Sequence, residues 1–141
     1  MSSIEENKTI MRRMVEEIWN QGKLDAADEL FAADATTPDL AFLPPGPAGV
    51  KMVAQMFLSA FPDLHMTIDR IVAEGDLVVG HFTETATHKG EFMGVPATGK
   101  PVSFKEMGIL QIANGKIVKS WYSLDQFGLM QQIGAIPGGP G

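Results

Sequence analysis

The sequence predicts an α+β domain in which helices come first and an antiparallel sheet follows. Apolar residues recur at helical spacing from Ile4 to Phe57. From Met66 onward the period drops to two, the mark of half-buried strands. Asn114-Gly115, between the last two apolar runs, is a strong two-residue hairpin signal. Helices first and strands later place the helices on one face of the sheet.

Each element has a local cause. Ser3-Ile4-Glu5-Glu6 fits the S-x-x-E capping box, which satisfies free amides at a helix start. Ile4, Met11, Met14, Val15, Ile18 and Trp19 then form one apolar stripe, and Gly22 ends the helix. A short second helix is expected over Leu24 to Phe31. The stretch from Pro38 to Pro47 contains Pro44-Pro45-Gly46-Pro47 and excludes regular helix or central strand. A third helix runs from Gly49 to Ala60, and Phe61-Pro62-Asp63 breaks it.

Four strands are expected after that break. The first starts at Met66 and ends before the turn Gly75-Asp76. The second covers Leu77 to His88, the third Val102 to Ile112 and the fourth Lys116 to Leu124. The glycine- and proline-bearing stretch from Lys89 to Pro101 reads as a loop. Residues 126–133 are expected to form a last helical turn or two, and 137–141 a flexible tail.

Composition narrows the function. At 141 residues the chain fits one domain, placed at residues 1–136. It has no cysteine, which excludes disulfides, thiolate metal sites and cysteine nucleophiles. A net charge of −6 opposes nucleic-acid binding, which needs cations against phosphates. No apolar run approaches the roughly 18 residues of a membrane span, and the acidic, polar start does not read as a signal peptide. A cytoplasmic protein is the expectation. No H-x-H or H-x-x-x-H spacing occurs among the three histidines, so no metal site is expected.

Several short segments, taken in order, resemble one family. They are Asn20-Gln21-Gly22-Lys23-Leu24-Asp25, Phe61-Pro62-Asp63-Leu64 and Ala73-Glu74-Gly75-Asp76-Leu77-Val78. Thr87-His88-Lys89-Gly90-Glu91-Phe92 follows, with Gly94-Val95-Pro96 and Thr98-Gly99-Lys100. Last come Asn114-Gly115-Lys116-Ile117-Val118, Trp121, Asp125 and Gln131-Gln132-Ile133-Gly134. Together they resemble the SnoaL-like polyketide cyclases of the nuclear-transport-factor-2-like superfamily. The resemblance implies a cone-shaped barrel: a curved antiparallel sheet wrapped around N-terminal helices and enclosing an apolar pocket. It also implies a homodimer through the sheet, a small apolar ligand, and aldol-type acid/base chemistry with no metal or organic cofactor. In the family's cyclases an aspartate follows the tryptophan; here Tyr122 follows Trp121. Their glutamine and histidine partners fall on Glu106 and Gly108.

Candidate catalytic residues follow from this pattern. Glu106 sits mid-strand among apolar neighbours, where a buried carboxylate is costly, and is the leading base; otherwise it faces solvent or pairs with Lys105 or Lys119. Asp125 is a second candidate, or else a cap of the final helix. His88 and Tyr122 are candidate donors to an oxyanion. Trp19, Phe42, His81, Phe82, Phe92, Phe104 and Trp121 are candidate substrate contacts. Counting back from the Asn114-Gly115 turn pairs Ile112 with Ile117 and sets Gly108 opposite Trp121, Glu106 opposite Ser123 and Phe104 opposite Asp125. That puts Glu106, Trp121 and Asp125 on one face and Tyr122 on the other, unless a bulge swaps them. The expected function is a cofactor-independent enzyme acting on an apolar, polyketide-like carbonyl compound, cyclase- or isomerase-like. The alternatives are a non-catalytic binder of a small apolar ligand, and an epoxide hydrolase using carboxylates among Glu84, Glu106 and Asp125.

Overall fold

A computed structural model describes residues 3–136. The expected flexible tail at 137–141 lies outside the described residues. Helix α1 covers Ile4–Arg13, and its capping box forms as read: Ser3 Oγ accepts from the Glu6 amide at 3.1 Å, and Glu6 Oε1 accepts from the Ser3 amide at 3.3 Å. From Met14 to Asn20 the helix widens into a π-helix. Such wide turns are rare and concentrate at functional sites. Asn20 then ties the helix end to the sheet: Oδ1 accepts from the Met66 amide at 2.7 Å and Nδ2 donates to the Met66 carbonyl at 3.0 Å.

The short helix α2 spans Ala26–Leu30, and the chain turns directly into strand β1, Phe31–Thr36. A 3-10 turn, Pro38–Leu40, opens the proline-rich strap. The strap is pinned where the Gly46 amide donates to the Ala35 carbonyl at 2.8 Å. Gly46 has a φ of 75°, and a Cβ there would sit 2.3 Å from the Ala33 carbonyl oxygen, so only glycine fits. Helix α3, Pro47–Ala60, follows with a proline in its first turn.

Strands β2 (His65–Glu74), β3 (Leu77–Thr87), β4 (Pro101–Ala113) and β5 (Lys116–Leu124) form an antiparallel meander, and helix α4 covers Gln126–Gln132. The sheet order is β1-β5-β4-β3-β2. The α+β class and the curved sheet against N-terminal helices match the sequence reading. The sheet is open, with β1 and β2 as its edges, rather than closed as a barrel. It has five strands instead of four, and β1 pairs parallel to β5. Strand β1 reads Phe-Ala-Ala-Asp-Ala-Thr, poor in β-branched residues, so its conformation is set by the edge of β5 and not by local propensity.

Several motif residues turn out to be corner pieces. Asp63 accepts from both the amide and the hydroxyl of Thr87, each at 2.7 Å, and fixes the break after α3 onto the end of β3. The Lys89 and Gly90 amides both donate to the Ala60 carbonyl. A Cβ at Gly90 would stand 2.2 Å from the Ser59 carbonyl oxygen, so this close crossing requires glycine. At the hairpin, Asn114 and Gly115 both take positive φ, 52° and 76°, the pattern of a primed two-residue turn.

The β4–β5 register is where the structure departs most from expectation. Ile112 does pair with Ile117, but Gln111 pairs with Lys119, so Val118 is an extra residue on β5. Every later residue moves by one. Gly108 lies opposite Tyr122, Ile109 opposite Trp121 and Glu106 opposite Leu124. The expected pairs Gly108–Trp121, Glu106–Ser123 and Phe104–Asp125 are therefore replaced, and Tyr122 joins Glu106 on the concave face while Trp121 turns away.

The concave face carries two buried clusters. One gathers Met11, Met14, Ile18, Leu30, Phe31, Val78, Phe82 and Leu110. The other gathers Phe57, Phe61, Phe92, Val102, Phe104, Leu129 and Ile133. Trp19 packs against both.

Candidate active site

A cavity of about 550 Å³ lies against the concave face. Its floor is sheet: Met66 from β2, Phe82 and Glu84 from β3, Glu106 from β4, and Ser120, Tyr122 and Leu124 from β5. The π-helix supplies Met14 and Trp19, five residues apart, which suits its i→i+5 bonding. The strap supplies Thr37, Pro38, Leu40, Leu43 and the Pro44-Pro45 pair, and α3 closes the opposite side with Val50, Val53 and Phe57. The Trp19 ring stands edge-on to Phe57 at 6.0 Å. An apolar wall with a few convergent polar groups is the usual form of a small-molecule site.

Those polar groups follow from strand parity. Phe82 lies opposite Glu106, and Glu84 opposite Phe104, so both carboxyls share the concave face as diagonal neighbours. Glu84 is only 3% exposed. Burial pushes its carboxyl up to about 10, with the neighbouring Glu106 adding to the rise. Burial also raises Glu106, partly opposed by its hydrogen bond with Glu84. Among the described residues no salt bridge reaches either carboxyl, although Lys119 also lines the cavity. Lys105 turns to the convex side, where its ammonium lies 3.6 Å from Asp69.

Tyr122 is partly buried, and its hydroxyl lies 3.7 Å from Met14 Sδ, a weak acceptor. Burial pushes the phenol up to about 12; a hydrogen bond with Ser120 offsets some of this and the charge of Glu106 adds to it. The phenol therefore stays a proton donor at neutral pH. Ser120 is buried, and its hydroxyl meets the Thr37 hydroxyl at 3.2 Å, joining the strap to the cavity floor. Two glycines make room for the rings. A Cβ at Gly80 would meet the Phe82 ring at 2.4 Å, and one at Gly108, directly across from Gly80, would meet Tyr122 at 3.2 Å.

Five of the sequence candidates thus line the cavity: Glu106, Tyr122, Trp19, Phe82 and, from the hydrolase alternative, Glu84. The others lie elsewhere. Asp125 caps α4, accepting from the Gly128 amide at 2.9 Å, and is exposed. His88 is fully buried below the 88–100 loop; the Thr98 amide donates to its Nδ1 at 3.3 Å, and its ring packs on Phe61 at 5.6 Å. Phe92 and Phe104 belong to that same second cluster. Phe42, at the strap's tip, is 81% exposed. His81 sits beside Arg70, Nδ1 to guanidinium 3.1 Å, away from the cavity, and Trp121 faces the convex side because of the Val118 bulge. Sequence reasoning took Phe42 from the strap rather than Thr37, Pro38 and Leu40, missed Ser120, and offered Glu84 only as one of three carboxylates of the hydrolase alternative. The shared parity of Phe82 and Glu84 was a usable signal for Glu84. Nothing in the pattern pointed to Ser120.

A family model of SnoaL-like polyketide cyclases matches residues 9–133. The chain belongs to the SnoaL-like polyketide cyclase family. Among solved members of this fold, TsrD of Streptomyces laurentii superposes with a TM-score of 0.88 at 26% identity, over 96% of this chain and 100% of that one. AclR of Streptomyces galilaeus, a proposed hydroxylase, is 33% identical with a TM-score of 0.84, over 96% and 100% of the two chains. IdmH of Streptomyces antibioticus, a proposed polyketide cyclase, is 32% identical with a TM-score of 0.77, over 91% and 98%. No match was found among curated proteins. The SnoaL-like motifs around Asn20, Asp63, Gly90 and Asn114 are the corner pieces described above. They fix the turns and crossings of this fold. No helix among the described residues is long and apolar enough to cross a membrane.

Proposed function

We propose that this SnoaL-like protein is a cofactor-independent acid/base enzyme acting on an apolar, polyketide-like carbonyl compound held in the 550 Å³ cavity. The observation that carries this reading is Glu106: a carboxyl on an apolar wall, raised by burial above its ordinary range, sharing its face with the Tyr122 phenol. A raised carboxylate suits removal of a proton beside a carbonyl, and a phenol that keeps its proton suits donation to the oxygen on which charge develops. Phe82, Trp19 and Phe57 supply flat apolar surface for the rest of the ligand. The family's aspartate position is Tyr122, and this reading moves the base one strand over, to Glu106.

The convex face supports a second part of the proposal, a homodimer through the sheet. Val72, Leu77, Met107 and Ile109 are exposed there, against the usual preference for polar residues on a solvated sheet face. A cytoplasmic location is part of the same reading.

The test is carbon-bound hydrogen exchange. Naphthoylacetone, a bicyclic 1,3-diketone, would be followed in D2O by proton NMR with catalytic protein. The wild-type chain is expected to accelerate loss of the signal from the carbon between the carbonyls, and Glu106→Gln to remove about 100-fold of that rate while melting as the wild type does. Equal rates in the two proteins would sink the catalytic reading. Saturable binding with no exchange in either would leave a binding protein instead.

A further inference from the structure

A second carboxyl shares the cavity floor with Glu106. Glu84 lies diagonal to it on β3, on the same face, and both line the cavity. Glu84 Oε2 is hidden from solvent and receives no proton from any amide, hydroxyl or cation among the described residues. The carboxyl beside it on the cavity floor is that of Glu106, one diagonal step across the β3–β4 ladder. Two ionised carboxylates side by side in a buried site repel, and a single proton held by the pair removes that repulsion. Burial raises both groups, and although Lys119 also lines the cavity, no salt bridge among the described residues reaches either carboxyl.

We propose that Glu84 and Glu106 form a one-proton acid/base pair that interconverts the keto and enol forms of a 1,3-dicarbonyl ligand, Glu106 working on carbon and Glu84 on oxygen. This rests on the acid/base reading of the cavity and adds its second catalytic group and its substrate class. The Glu106 carboxylate takes the proton from the carbon between the two carbonyls. The C–H electron pair becomes the C=C bond, the carbonyl π pair moves to oxygen, and that oxygen takes the proton of Glu84. The pair ends with the proton on Glu106 and the charge on Glu84. Return of that proton from Glu106 to Glu84 restores the starting state, and no oxidant, reductant or cofactor is consumed. A 1,3-dicarbonyl fits for two reasons. Its central C–H is acidic enough for a carboxylate raised by burial, which an isolated ketone is not. Its enol also presents one donor and one acceptor, matching the one acceptor and one donor of the pair.

The probe is naphthoylacetone, with the full-length protein. Enol disappearance by ultraviolet absorbance reads the oxygen proton, and deuterium uptake by NMR reads the carbon proton. Glu84→Gln keeps the shape and a donor but cannot transfer a proton. It is expected to lower kcat for ketonisation about 100-fold with KM within about threefold of wild type. Infrared difference spectra of the wild type at neutral pH are expected to hold a protonated-carboxyl C=O band that shifts in D2O and reports ligand binding. If Glu84→Gln retains the wild-type kcat while Glu106→Gln does not, the pair is wrong and the Glu106 reading stands. If neither variant loses rate, both fail together. Absence of the infrared band from the wild type overturns the pair without any variant, which covers a Glu84→Gln chain that does not fold.

Discussion

Gly108 lies directly across the β4–β5 ladder from Tyr122, and the tyrosine ring covers the space where a side chain at 108 would stand. The two positions are therefore one steric unit. The resemblance to the family's cyclases implies a histidine and an aspartate at these two positions, where this chain has Gly108 and Tyr122. A side chain at 108 would press on the Tyr122 ring at 3.2 Å, so a large residue at 108 competes with the ring at 122.

The first prediction follows from that unit. Gly108→His alone should cost about 1–3 kcal/mol through overpacking against Tyr122 and Phe82, and displace the phenol. Adding Tyr122→Asp should recover much of that loss. A double-mutant cycle by denaturant unfolding reads the coupling; strictly additive effects would mean that the two positions do not compete for space.

Tyr122→Phe isolates the hydroxyl. Its only contact at hydrogen-bonding range with a heavy atom outside its own strand is the weak one to Met14 Sδ. Stability should change by less than about 1 kcal/mol. Exchange of naphthoylacetone should slow by about 10- to 100-fold if the phenol donates to the developing oxyanion. An unchanged rate would remove Tyr122 from the chemistry.

The buried carboxyls set a pH dependence of known sign. Glu84 is pushed up to about 10 from 4.5, so between those values the folded state holds a proton that the unfolded chain releases. Its contribution to stability is full below about 4.5 and is lost as pH rises through about 10. Glu106 is shifted in the same direction. Asp63, held below its usual range by the Thr87 hydroxyl and amide, acts oppositely and weakens the fold in acid. Melting temperature should fall with pH on the alkaline side in the wild type and fall less in Glu84→Gln, the variant becoming the more stable by several degrees near about pH 9. Parallel curves would place Glu84 in water.

Asp125→Ala separates capping from catalysis. The side chain accepts the Gly128 amide at the start of α4 and is not among the residues that line the cavity. Loss of the cap should cost about 1 kcal/mol. Exchange activity should remain at the wild-type level. A large loss of activity in a folded variant would return Asp125 to the site.

The convex face makes the last prediction. Ile109→Glu places a charge amid Val72, Val79, Met107 and Trp121 on that face. Sedimentation should show a dimer for the wild type and a monomer for the variant, with the melting temperature measured at matched concentration. A wild-type chain that sediments as a monomer would end the dimer proposal.

The sequence by itself determined the order of elements, the hairpin at Asn114-Gly115 and the capping box at Ser3. It also marked the corner residues Asn20, Asp63 and Gly90, and singled out Glu106. These are legible because capping, turns and periodicity are local: each depends on a few adjacent residues and on backbone angles that only some residues tolerate. Strand β1 was not legible, since an Ala-rich segment becomes a strand only when the edge of β5 is there to pair with it. Which side chains enter the cavity was decided by tertiary structure alone. Both parities of β4 and β5 carry apolar residues, so the one-dimensional pattern has two equivalent readings. The single extra residue at Val118 selects one of them, turning Tyr122 in and Trp121 out. The pairing of Glu84 with Glu106 likewise exists only once β3 and β4 lie side by side, 22 positions apart in the chain (84 to 106). A proton shared between two carboxyls is a property of distance and dryness, and neither is written in the order of residues.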